Sequence, residues 1–222
     1  NLEIVAEKTK AAGIPFWLFI QTISFANVSG TQTRIPEEDD LRWQVAVSMA
    51  YGAKGIQHFC YWTPGQNGNE QFTDGMIDRL GNKTNLYYAA QKVNQEVLAF
   101  DHVYLSFDWQ GVITHSVDPN NINVNFRMLE EQLSSHERIK KIESTEDVLI
   151  GTFKDHQNND GFMVVNYNDP AKDLSNTVNL TFKNATKAVV YVKGEKTIMN
   201  LSRGKLTLNL ESGEGIFVIP YK

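Results

Sequence analysis

The sequence predicts an α/β region followed by an all-β region, and three observations carry that prediction. The first hundred residues alternate helical and strand-like patterns in the order α-β-α-β-α, which implies parallel strands joined by helical crossovers. Both strands of that region are apolar on two faces, as strands buried between layers are. From about Phe107 the rhythm changes to short strands at roughly 8–12-residue intervals with turn residues between them, the spacing of a β-sandwich. The boundary falls between Phe100 and Phe107, giving regions 1–103 and 104–222.

In chain order, Leu2, Val5, Ala6 and Thr9 recur at helical spacing and Gly13 stops that helix. The stretch IPFWLFIQTISF (14–25) reads as a strand, with Phe16, Leu18 and Ile20 facing one way and Trp17, Phe19 and Gln21 the other. A helix starts near Pro36, where proline suits the first turn and Glu37, Glu38, Asp39 and Asp40 suit the positive end of the dipole. Leu41, Val45, Ser48 and Met49 form its buried stripe. GIQHFCYW (55–62) is the second strand, and a Gly/Asn-rich loop (63–75) leads to a helix over 84–99 carrying Leu86, Ala90, Val93 and Val97. Eight strands then follow, beginning with DWQGVITHS, VLIGTFK and GFMVVNYN and ending with KLTLNL and GIFVIPYK. NNDG, VKGEK, SRGK and ESGEG are turns between them.

The composition excludes several classes. A net charge of -5, with RIKK (138–141) as the densest basic run, argues against nucleic acid or an anionic membrane surface as partner. The single cysteine, Cys60, rules out an internal disulfide framework, and no apolar run reaches the roughly 18 residues of a membrane-spanning helix. The compartment, cytoplasmic or secreted, stays open. The chain starts on a helix without an initiator methionine, so it is expected to be cut from something longer. The sequons at Asn27, Asn82, Asn179, Asn184 and Asn200 are expected by chance in a chain rich in Asn and Thr. Histidines 58, 102, 115, 136 and 156 lack metal-ligand spacing, so neither zinc nor another cofactor is expected.

Pro15-Phe16-Trp17-Leu18, the Arg42-Trp43 pair and the YGAKGI turn (51–56) before an aromatic strand resemble the last quarter of a retaining glycoside hydrolase. The family is glycoside hydrolase family 42, the β-galactosidase group of the (β/α)8 clan. The resemblance covers about residues 1–100 and implies a partial (β/α)8 (TIM) barrel, its last strands and helices only, followed by a small antiparallel β-sandwich. It implies a carbohydrate partner, and a fragment that oligomerises or needs its missing N-terminal barrel portion. The strand bearing the family's acid/base glutamate is absent, and the nucleophile position aligns with Ile20. Since retaining hydrolysis needs two carboxyl groups about 5–5.5 Å apart, the fragment itself is expected to be inactive.

Residues near the strand ends remain candidates. Gln21 offers an amide to a sugar hydroxyl, and Trp62 and Tyr61 offer flat rings to the apolar face of a sugar. Glu70 and Asp74, in the loop after the second strand, are the weak candidates for a replacement carboxylate. His58 reads as a structural group and Trp17 as core. Two further classes stay open, a non-catalytic carbohydrate-binding protein and a structural or assembly module with unpaired strand edges.

Overall fold

Helix α1 (Leu2–Ala12) ends at Gly13, whose left-handed backbone (φ 65°) turns its N–H back onto Lys10 and Thr9. The computed structural model describes residues 1–26, 30, 32–66, 71–118 and 135–222. Strand β1 (Trp17–Gln21) follows, and β2 (Phe25–Ala26) is a short extended piece beyond it. Helix α2 (Glu38–Ala50) begins one residue after the prolyl turn: Glu37 caps it, with a reciprocal capping box to Asp40. Strand β3 (Gly55–Phe59) pairs parallel with β1, Trp17 opposite Gly55 and Ile20 opposite His58. Strand β4 (Gln71–Phe72) pairs antiparallel with β2. Helices α3 (Asn85–Leu98) and α4 (Asp101–Tyr104) end the helical part.

The antiparallel part begins with β5 (Phe107–His115). Next come β6 (Ile139–Ser144), β7 (Val148–Asp155), β8 (Asp160–Asn166) and β9 (Asn176–Phe182). The last four are β10 (Lys187–Val192), β11 (Glu195–Asn200), β12 (Lys205–Leu210) and β13 (Gly215–Tyr221). Six of them form one sheet in the order β11-β10-β13-β8-β7-β5, and β12-β9-β6 form another. Between the sheets lies a core of Phe162, Val164, Val178, Leu180, Leu206 and Leu208. Strand β6 is the one that sequence reading missed. It is a sheet edge with Lys140 and Lys141 exposed, the charged edge that discourages further pairing, and so it read as a basic run.

The other face of the six-stranded sheet carries the helices. A second core joins Leu41, Val45 and Met49 of α2 to Met163, Val165 and Phe217 of the sheet, so the interior runs unbroken across residues 103–104. Helix α2 is more buried than its predicted stripe. Leu41, Arg42 and all of Val45–Ala50 are buried, because β1 covers one side and the sheet the other. Glycines make the close approach possible. A Cβ at Gly151 would overlap the Ala50 carbonyl, and one at Gly213 the Asp39 carbonyl. Arg42, on the same helix, donates to both oxygens of Glu96 on α3 (3.0 and 2.9 Å) and also pairs with Glu38 and Asp39. Desolvation disfavours its charge, but the hydrogen bonds to Glu96 and Glu38 outweigh that and raise its pKa.

Candidate functional site

Register assigns the side chains of the small parallel sheet to two faces. Leu18, Ile20, Ile56 and His58 share one, and Trp17, Phe19, Gln21, Gly55, Gln57 and Phe59 share the other. The first face is covered by helices: Ile20 is 3% exposed within the α2 core, and His58 Nε2 lies 3.4 Å from Asn94 of α3. Burial lowers the His58 pKa, partly opposed by the hydrogen bond to Asn94, so its ring is held neutral against a helix. The second face is open. Trp17 and Phe19 are each 64% exposed and Phe59 43%. Trp17, expected in the core, lies flat across β3, and only a glycine at 55 permits this, since a Cβ there would meet the indole at 2.5 Å.

This geometry revises the slot at position 20. The Ile20 side chain points into the helix layer, and Gln21 is the strand-end residue in register with the open face. No residue in register on that face is a carboxylate. Gln21 is also heavily engaged. Its backbone exchanges hydrogen bonds with the Gln44 side chain (2.7 and 3.1 Å). Its Nε2 donates toward Ile23 O, Thr33 Oγ1 and Arg34 O at 2.9–3.2 Å. The amide donors are thus spent on the chain, and Oε1 is the atom left to accept from a ligand.

The two loops beyond β1 and β3 are joined to each other. Thr22 N donates to Phe59 O (2.7 Å), Ser24 N to Thr73 Oγ1 (3.0 Å) and Thr73 N to Ser24 O (2.9 Å), beside the β2–β4 ribbon. Phe25 packs edge-on against Phe59 at 6.4 Å between centroids. Thr63, fully buried, donates to Ile77 O (2.7 Å) and accepts from Gly75 N (2.8 Å), fixing the start of the second loop. Tyr61 and Trp62 stand just past β3, 56% and 53% exposed, with Trp62 bridged in parallel to Ile77. Asp74 is exposed in a shallow depression with Thr73, Arg79 and Asn85. Glu70 lies outside the described residues. The structure therefore gathers Tyr61 and Trp62 with Phe59 at one strand end and leaves Asp74 on the adjoining loop. Sequence reasoning missed Phe19, Gln57 and Phe59: alternation put Phe19 on a face with Trp17 and Gln21, but the register that adds Gln57 and Phe59, and the exposure of that face, come from the structure. Among the described residues, no group of three or more His, Cys, Asp or Glu side chains is placed to hold a metal ion.

The first region thus pairs two parallel strands, backs them with helices and ends them in aromatic residues, and it is there that a family model matches. Residues 4–100 match the sequence profile of glycoside hydrolase family 42, described as β-galactosidase. Among solved structures, a GH30 endoxylanase from Clostridium papyrosolvens C71 aligns at 12% identity with a TM-score of 0.43, over 97% of this chain and 44% of that one. The chain thus spans less than half the length of that enzyme. No curated protein matches.

Proposed function

We propose that this chain is the C-terminal part of a glycoside-hydrolase-like protein, a partial (β/α)8 barrel with an appended β-sandwich. The whole protein binds or cleaves β-linked glycosides such as β-galactosides. One observation carries the reading: an open aromatic face on β1 and β3 that ends at Phe59, Tyr61 and Trp62. Aromatic rings offer an apolar platform to the carbon face of a sugar, and Gln21 Oε1 is placed to accept from a hydroxyl. Parallel sheets are normally covered on both faces. In this reading further parallel strands pair with the outer edges of β1 and β3 and turn the open face into barrel lining.

The 222-residue chain alone is inactive in this proposal. Retaining hydrolysis needs two carboxyl groups about 5–5.5 Å apart, one to attack and one to carry the proton. The open face carries none, and Asp74 by itself cannot fill both roles. The purified chain is expected to give no turnover of a chromogenic β-galactoside, and measurable turnover would overturn this. Calorimetric titration with β-galactosides should yield binding that weakens in Trp62→Ala. An absence of heat across a panel of β-glycosides would sink the sugar reading itself. The acid-free face also favours a second reading, a non-catalytic carbohydrate-binding protein, and turnover by the whole protein separates the two.

A further inference from the structure

Glu214 is 2% exposed and sits in the turn between β12 and β13, at the junction of the two regions. One carboxyl oxygen, Oε2, accepts from Glu211 N at 2.8 Å. The other, Oε1, is buried without a hydrogen-bond partner. Glu214 also lines a cavity between α2, α3 and the six-stranded sheet, walled by Met49, Val93 and Met163 on the apolar side and by Arg42, Glu96 and Lys193 on the polar side. The cavity has room for roughly one or two water molecules.

The backbone of the turn that carries this carboxyl is pinned against α2 and β8. Gly213 is pressed on the Asp39 carbonyl of α2, and Gly215 on Ala46, where a Cβ would come within 2.6 Å. Asn166 N donates to Glu214 O at 3.0 Å, and Asn166 Nδ2 to Glu211 O at 3.0 Å. Ser212 Oγ donates to Pro170 O at 3.2 Å. The charged groups around the cavity are already engaged with one another. Helix α2 presents Arg42, bound by Glu38, Asp39 and Glu96, and α3 presents Glu96. The β10–β11 turn presents Lys193, which pairs with Glu211 of Glu214's own turn at 2.5 Å, and Lys92 pairs with Glu38 at 2.7 Å. These groups sum to three cations and four anions before Glu214 is counted, so an ionised Glu214 adds a second unbalanced negative charge.

We propose that Glu214 binds a proton at this junction, and that losing it loosens the seat of α2 and α3 on the six-stranded sheet. A buried carboxylate with one oxygen unpartnered, among groups that already sum to a net negative charge, is costly, whereas the neutral acid can donate to a water there. Desolvation raises the Glu214 pKa above the ordinary 4.5, against the opposing pull of the Glu211 N–H, Lys193 and Arg42. The folded state thus holds the proton more tightly than the unfolded chain. The associated stability is fully present below about pH 4.5 and is lost as pH rises through the folded value.

The test is the thermal midpoint of the full chain against pH, wild type beside Glu214→Gln. The two curves should meet in acid and separate as pH rises, the glutamine variant staying higher by roughly 3 °C or more. Parallel curves over the whole range would overturn the proposal. At one alkaline pH, hydrogen exchange in α2 should be slower in the variant, and equal protection would refute the loosening. Should the variant fail to fold, infrared spectroscopy of wild type with labelled glutamate decides. A protonated carboxyl band persisting above the ordinary glutamate range supports the site, and its disappearance within that range overturns it.

Discussion

Strands β8 and β1 are both apolar on two faces, and they end up in opposite circumstances. Every residue of β8 is buried. Met163 and Val165 face the helices, while Phe162 and Val164 face the three-stranded sheet. In β1, Ile20 is buried against α2, but Trp17 and Phe19 on the reverse side are 64% exposed. Two-sided hydrophobicity therefore reports the environment a strand is suited to, a middle layer, whether or not its own neighbours supply the second cover. Within residues 104–222 the second sheet is supplied; on β1 and β3 one side stays open.

The largest effects should separate these two strands' surroundings. Phe217 is fully buried and packs against Phe100, Tyr104, Phe107 and Phe153 at centroid distances of 5.4–6.1 Å. Phe217→Ala should cost about 3–5 kcal/mol in denaturant unfolding, from lost transfer energy plus a cavity the rigid sheet cannot close. Trp17→Ala removes a ring that is already mostly wet and should cost less than about 1 kcal/mol. Comparable losses for the two variants would mean that the β1 face is covered in solution, and the contrast would collapse.

Next in size is the seam between the regions. Gly151 on β7 lies directly beneath the Ala50 carbonyl at the end of α2. Gly151→Ala has to push that helix off the sheet, at a cost of about 1–3 kcal/mol by overpacking. Gly65, in the loop after β3, has nothing within 4 Å of the corresponding position, so Gly65→Ala serves as the neutral control. Equal behaviour of both variants would show that α2 and β7 do not meet as closely as the structure has them.

Residue patterns made some of this legible and concealed the rest for physical reasons. The caps and stripe of α2 were readable, because Pro36, the acids after it and Leu41, Val45 and Met49 each act locally. Its close seat on the six-stranded sheet was written more faintly, in the small residues Ala46 and Ala50 that let Gly215 and Gly151 approach. Strand β6 was hidden because an edge strand buries so little that lysines dominate its pattern. At the candidate site, the membership of each face of β1 followed from alternation, but which face was open did not, since coverage comes from residues distant in sequence. Glu214 could not have been foreseen. A glutamate in a Gly/Ser turn is expected to be solvated, and only the two flanking glycines, pressed on α2, put it inside.

The smallest expected effect lies where the second region reaches the loop beyond β1. Asp169, just before the 3-10 turn Pro170–Lys172, accepts from Arg34 Nη1 at 2.7 Å. Arg34 also pairs with Asp40 near the start of α2, and its carbonyl receives the Gln21 amide. Both members of the Arg34–Asp169 pair are about half exposed, at 46% and 51%, so solvent screens the attraction. A double-mutant cycle of Arg34→Ala and Asp169→Ala should give a coupling of about 0.2–1 kcal/mol at low salt, shrinking as salt is added. The hydrogen bond to Arg34 depresses the Asp169 pKa below the ordinary 3.8, so the coupling should hold above that value and fade as pH falls through the depressed one. A coupling several times larger and insensitive to salt would show the pair to be shielded from water, and the loop beyond β1 to be held by the second region as firmly as α2 is.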